Sequence, residues 1–141
     1  MNVKEKLLSK RISGILNLVT VILSLFCIIF YTVKALGVKE FNNMVDIYLV
    51  LAILCCVVYT LVDNYLADIA NLISVVFLTL AIGKLIVSSI NTFADAMNGI
   101  SMFGSSGEVR HIIVSAVVMV IALLLEIVSC FMSRDSKLKV K

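Results

Sequence analysis

Proline and tryptophan are both missing from this 141-residue chain, and charge is scarce. Without proline the usual kink is absent, so helices should run unbroken. That weighs against transporter folds built on interrupted helices. Without tryptophan, tyrosine and lysine must supply any anchors at a membrane surface. Tyr31, Tyr48, Tyr59 and Tyr65 all stand near the ends of apolar runs. Asp, Glu, Lys and Arg make up 15% of the residues, against about 25% in soluble domains.

Catalytic patterns are absent too. There is no zinc spacing, no phosphate-binding loop and no Gly-x-Ser-x-Gly elbow. The Gly104–Gly107 segment (Gly-Ser-Ser-Gly) follows no strand and has no phosphate to cradle. The one histidine, His111, stands beside Arg110 at a helix start and reads as an interfacial residue. Cys27, Cys55, Cys56 and Cys130 all lie inside apolar runs and read as small fillers, with no disulfide framework. No catalytic, cofactor-binding or metal site is expected, and the chain does not read as an enzyme. The basic tails are too small and too poor in aromatics for nucleic acid, and read as orientation signals and contacts to anionic lipid.

What is present is apolar sequence, 62% of the chain against about 45–50% in soluble domains. It falls into four runs: 12–33, 44–62, 66–90 and 112–132. A bilayer's hydrocarbon core takes about 20 helical residues, so each run can span it. The first run is too long for a signal peptide and lacks a small-residue cleavage site, so it reads as an uncleaved helix. Residues 63–65 form a very tight turn, which makes the second and third helices antiparallel neighbours. Residues 91–111 are the one long loop. Phe93, Met97 and Ile100 have helical spacing there, which predicts a short helix at the membrane surface.

Lysine and arginine orient the chain. Four lie in the first tail and four in the last, against three (Lys34, Lys39 and Arg110) in the connections on the other side. Both termini are therefore expected in the cytoplasm and the long loop outside. The expected fold is all-α: one integral membrane domain over 1–141, an antiparallel four-helix bundle, up-down-up-down, in the cell membrane.

Each run also carries a stripe of small or polar residues, the mark of helix contacts in lipid. The stripes are Ser13, Asn17, Thr20, Ser24, Cys27 and Tyr31 in the first run, and Leu49, Ala52, Cys56, Tyr59 and Asp63 in the second. The third gives Ala67, Ala70, Ser74, Phe77, Ala81, Lys84, Ser88 and Asn91. The fourth gives Ser115, Met119, Ala122, Glu126, Ser129 and Ser133.

Two charges lie deep in these runs. Glu126 is about 9 Å below the inner surface at 1.5 Å per residue. Asn17, Asn71 and Tyr59 fall in the same inner layer and offer it donors. Lys84 is about 9 Å below the outer surface and leans toward Glu126. It can pair with that carboxylate, directly or through water, or snorkel back to the outer surface. The expected intramembrane polar cluster is thus Glu126, Asn17, Asn71, Tyr59 and Lys84.

Two functions fit. One is a structural or accessory subunit acting through helix and outer-loop contacts, with a membrane-protein partner or with itself. Its docking patch would be Phe93, Met97, Ile100, Met102 and Phe103. The alternative is a small transporter or proton-coupled carrier using Glu126 and Lys84.

Overall fold

A computed structural model describes residues 3–35, 42–62, 65–100, 102–104 and 106–132. Side chains are described from Ile12 onward, except at 35, 65, 66 and 106. Asp63, Ser133, Lys39 and both ends of the chain lie outside that set. Among the described residues there are five α-helices and no strand: α1 (Val3–Ala35), α2 (Asn43–Leu61), α3 (Tyr65–Ser88), α4 (Ile90–Asn98) and α5 (Val109–Phe131). A single 3-10 turn, Ser106–Glu108, leads into α5. The long four, α1, α2, α3 and α5, are long and apolar enough to cross a membrane.

Helix α1 starts nine residues before its apolar run. The segment read as a basic tail is rich in Lys, Glu, Leu and Arg, all good helix formers, so the helix continues through it. Helix α2 starts at a capping residue, where Asn42 Oδ1 accepts the Met44 N–H at 3.0 Å. Between α3 and α4 the break is one residue wide. The N–H of Ser89 is shared between the carbonyls of Leu85 and Ile86, both at 3.2 Å, and the chain bends there.

The long helices form a closed ring in which α1 packs on α2 and α5, and α3 packs on the same two. Contacts between α1 and α2 run in opposite chain order: Ser13 meets Tyr59, Asn17 meets Cys56 and Thr32 meets Asp46. Those between α1 and α5 do likewise, with Ser13 on Ser129 and Cys27 on Ser115.

Inward faces are small and polar while outward faces are large and apolar. All six expected stripe residues of α1 are buried. So are the described stripe residues of α2 and α5. Helix α3 differs from expectation. Ala67, Ser74 and Ala81 are buried, but their companions are Asn71, Leu78 and Leu85 instead of Ala70, Phe77 and Lys84. A search for small and polar residues passes over leucine, yet Leu78 and Leu85 fill the centre of the core, with no exposed surface. This turns α3 part of a step about its axis and carries Lys84 to the exposed side; Asn91, also exposed, lies beyond the break, in α4.

Beyond the long helices, α4 closes on its own loop. Gly99, at φ 65°, ends α4 in the left-handed region that suits glycine. The chain then folds back, and Asp95 Oδ2 accepts the N–H groups of Met102, Phe103 and Gly104 at 2.9, 2.8 and 2.7 Å. Gly104 lies so close to α4 that a Cβ there would come within 2.5 Å of the Thr92 backbone. Helix α4 was expected from the spacing of Phe93, Met97 and Ile100; the clamp that Asp95 makes was not.

The Gly104 N–H above all, then those of Phe103 and Met102, hold the Asp95 carboxyl below its ordinary value of 3.8, against the opposing effect of burial. A carboxylate with a lowered folded value contributes stability above the unfolded value and loses it as pH falls through the folded one. Hydrogen-exchange protection of the Phe103 and Gly104 amides should therefore be constant from neutral pH to about 4 and fall only below it. A loss between pH 7 and 5 would contradict the clamp.

The inward stripe has its own check. Ala81→Leu should lower the unfolding free energy in mixed micelles by about 1–3 kcal/mol through overpacking. Leu80→Ala, one residue away on the exposed face, should change it by less than about 0.5 kcal/mol. Equal losses would place the packing face elsewhere.

Candidate functional site

A layer of buried polar residues drawn from all four long helices lies near one end of the ring. Glu126 of α5 is fully buried, as are Asn17 and Thr20 of α1 and Ser74 of α3. Cys56 of α2 is buried to within 1%, and Asn71 of α3 to within 2%. Each helix supplies these groups because helical spacing of three and four residues keeps its polar positions on one face.

Cys56 is the hub of this layer. Its thiol donates to Glu126 Oε1 at 3.4 Å and lies 3.1 Å from the Ser74 hydroxyl. Its backbone carbonyl accepts the Asn17 amide N–H at 3.3 Å. Ser74 also donates to the Ala52 carbonyl at 3.4 Å. The Thr20 hydroxyl donates to the Leu16 carbonyl of its own helix at 3.1 Å, so the Cys56 thiol is the donor described for the Glu126 carboxyl. One turn nearer the chain ends, Ser13 Oγ lies 2.6 Å from the Tyr59 hydroxyl and 3.0 Å from Ser129 Oγ. Asn71 donates to Cys130 Sγ at 3.2 Å, four residues along α5 from Glu126.

The expected residues are thus placed as follows. Glu126, Asn17, Asn71 and Tyr59 are all buried among the four helices. The Asn amides and the Tyr hydroxyl were expected to bond Glu126, but the described bonds take them to Cys56, Cys130 and Ser13. Lys84 does not join them; it is exposed on the outer flank of α3. His111 is half-buried at the start of α5, with Nε2 3.6 Å from Glu108 Oε2 and its ring against Phe30.

Cys56, Ser74 and Thr20 are the neighbours that sequence reasoning did not assign to Glu126. All three sat in the stripes. Cys56 was read as a filler because a lone thiol matches no motif. Its position on the stripe, level with Glu126, was the available signal.

The layer is rich in acceptors and poor in strong donors. Glu126 Oε2, Asn17 Oδ1 and Asn71 Oδ1 are buried with no hydrogen-bond partner among the described residues. A thiol is a weak donor. No lysine, arginine or histidine side chain is among the residues described around the carboxyl. Such a layer fixes helix register through many modest bonds, and its open acceptors can take a proton donor. Compared with protein-family models, with curated proteins and with solved structures, the chain matches none.

Glu126→Gln keeps an acceptor for Cys56 and adds an N–H where oxygens lack donors. Its thermal midpoint in detergent at neutral pH should equal or exceed that of the parent. Glu126→Ala leaves a cavity and takes the acceptor from the Cys56 thiol, at a cost of about 2–5 kcal/mol. If Gln proves as damaging as Ala, the donor-poor description of the layer is wrong.

Proposed function

We propose that the chain is a four-helix bundle of the cell membrane, running up-down-up-down, that serves as a structural or accessory subunit. On this reading α1, α2, α3 and α5 are the spanning segments. The excess of lysine and arginine in the two tails, eight against three, supports cytoplasmic termini. The subunit performs no catalysis. It acts through its helix flanks, against a larger membrane protein or another copy, and through its outer loop.

The observation that carries this reading is the division between interior and exterior. Polar side chains turn inward and bond one another across helices. Outward flanks carry large apolar residues, Ile29, Leu54, Leu72 and Leu124 among them. Such flanks are suited to lipid and to other helices. The outer loop is held in one shape by Asp95, as a contact surface needs to be.

A second reading is a small proton-coupled carrier. The three buried acceptors without donors favour it, since an intramembrane carboxyl among open acceptors can exchange a proton. The exposed position of Lys84 weighs against the Glu126–Lys84 pair that such a carrier was expected to use.

Cross-linking the tagged full chain in its native membrane, then purifying it in mild detergent, tests the choice. A defined species larger than the monomer, with cross-links on helix flanks, is expected. Recovery as monomer alone, together with proton flux in proteoliposomes that Glu126→Gln abolishes, would replace the first reading with the second.

A further inference from the structure

The loop after α4 is built for a place with little water. In lipid, backbone N–H groups have to find partners within the protein. Here Asp95 alone takes three of them, from Met102, Phe103 and Gly104. Its main-chain carbonyl takes a fourth, from Ile100 at 3.0 Å. Between residues 90 and 107 the sequence holds one charged residue, Asp95, and its side chain is buried.

What the clamp leaves outside includes large apolar side chains, beside the exposed amides Asn91 and Asn98. Met97 is 88% exposed, and Met102 and Phe103 are 72% exposed each. The patch continues the apolar flanks of the spanning helices. A single residue, Ser89, separates α4 from α3, and the exposed Ile86 and Val87 of α3 lead up to it. Two exposed cations border the region, Lys84 and Arg110. Lys84 lies four residues, about 6 Å, before the end of α3, so its long side chain can rise to the level of lipid phosphates.

We propose that this loop is an interfacial lipid anchor, in which Met97, Met102 and Phe103 sit between the headgroups and the upper acyl chains of the outer leaflet. The proposal rests on the spanning assignment of α3 and α5, and names what the outer loop touches. Because Asp95 and the close seat of Gly104 on Thr92 fix the loop beforehand, little ordering is left for insertion to impose. The residues that enter need no hydrogen-bond partner from lipid.

The absence of tryptophan from the chain gives a direct test. Phe103→Trp introduces the sole tryptophan of the full-length protein, to be reconstituted in phosphatidylcholine vesicles with and without bromine on the acyl chains. Bromine near the top of the chains should quench it strongly, bromine near their ends less, and emission should be blue-shifted. Adding Asp95→Ala should shift emission to the red and reduce quenching. Met97→Trp gives the same reading should Phe103→Trp accumulate poorly. Val87→Trp, on the exposed flank of α3, is the control. Quenching at 87 without quenching at 103 overturns the anchor and leaves the spanning assignment standing. Blue-shifted emission at 103 that bromine does not touch means a protein covers the loop, and overturns it too. No quenching at either position removes the spanning assignment and the anchor with it.

Discussion

Glu126 is the constraint around which the helices are arranged. A carboxyl in the middle of an apolar helix is costly unless its oxygens are hydrogen-bonded. The fold meets that need only in part: Cys56 of α2 donates to one oxygen, while Oε2 has no partner among the described residues. The second tier, Ser13 with Tyr59 and Ser129, repeats the demand one turn away. Above the polar layer, Leu49, Leu78, Ala81, Leu85 and Met119 pack into an apolar core. Polar bonds join the helices on either side of this core as well, with Thr32 on Asp46 and Cys27 on the Ser115 carbonyl toward the other end.

The loop after α4 solves a related problem by the opposite route. Among the helices, side chains satisfy side chains across the ring. In the loop, one carboxylate satisfies a run of main-chain N–H groups. Both devices keep polar groups turned inward and leave apolar surface outside. That shared logic ties the exposed Met102 and Phe103 to the exposed flanks of α3 and α5. It also explains why a loop so poor in charge can stay folded without help from solvent.

Much of this was legible from sequence, and the reasons differ by element. In α1 the small and polar residues alternate at three and four, and nothing apolar competes for the inward face, so all six buried positions could be read off. In α3 the same criterion failed. Leu78 and Leu85 are inward because they fill the core, and a rule that seeks small residues cannot see them. Lys84 followed the mistaken stripe inward on paper and lies outside in the fold. The depth of Asn17, Tyr59 and Asn71 came from counting residues along helices. Which group bonds which depends on helix rotation, and that is a tertiary outcome. The Asp95 clamp was hidden for the same reason: it joins residues seven to nine apart across a left-handed glycine.

The central claim is that the polar faces of α1 and α5 meet in the layer around Glu126. Paired cysteines test it most directly, in the full chain in membranes, with the native cysteines replaced by serine or alanine. Ser13→Cys with Ser129→Cys joins positions whose hydroxyls lie 3.0 Å apart. Leu18→Cys with Leu124→Cys places both thiols on exposed flanks. Mild oxidation should form an intramolecular disulfide in the first pair and none in the second. A bridge in the second pair without one in the first would contradict the arrangement.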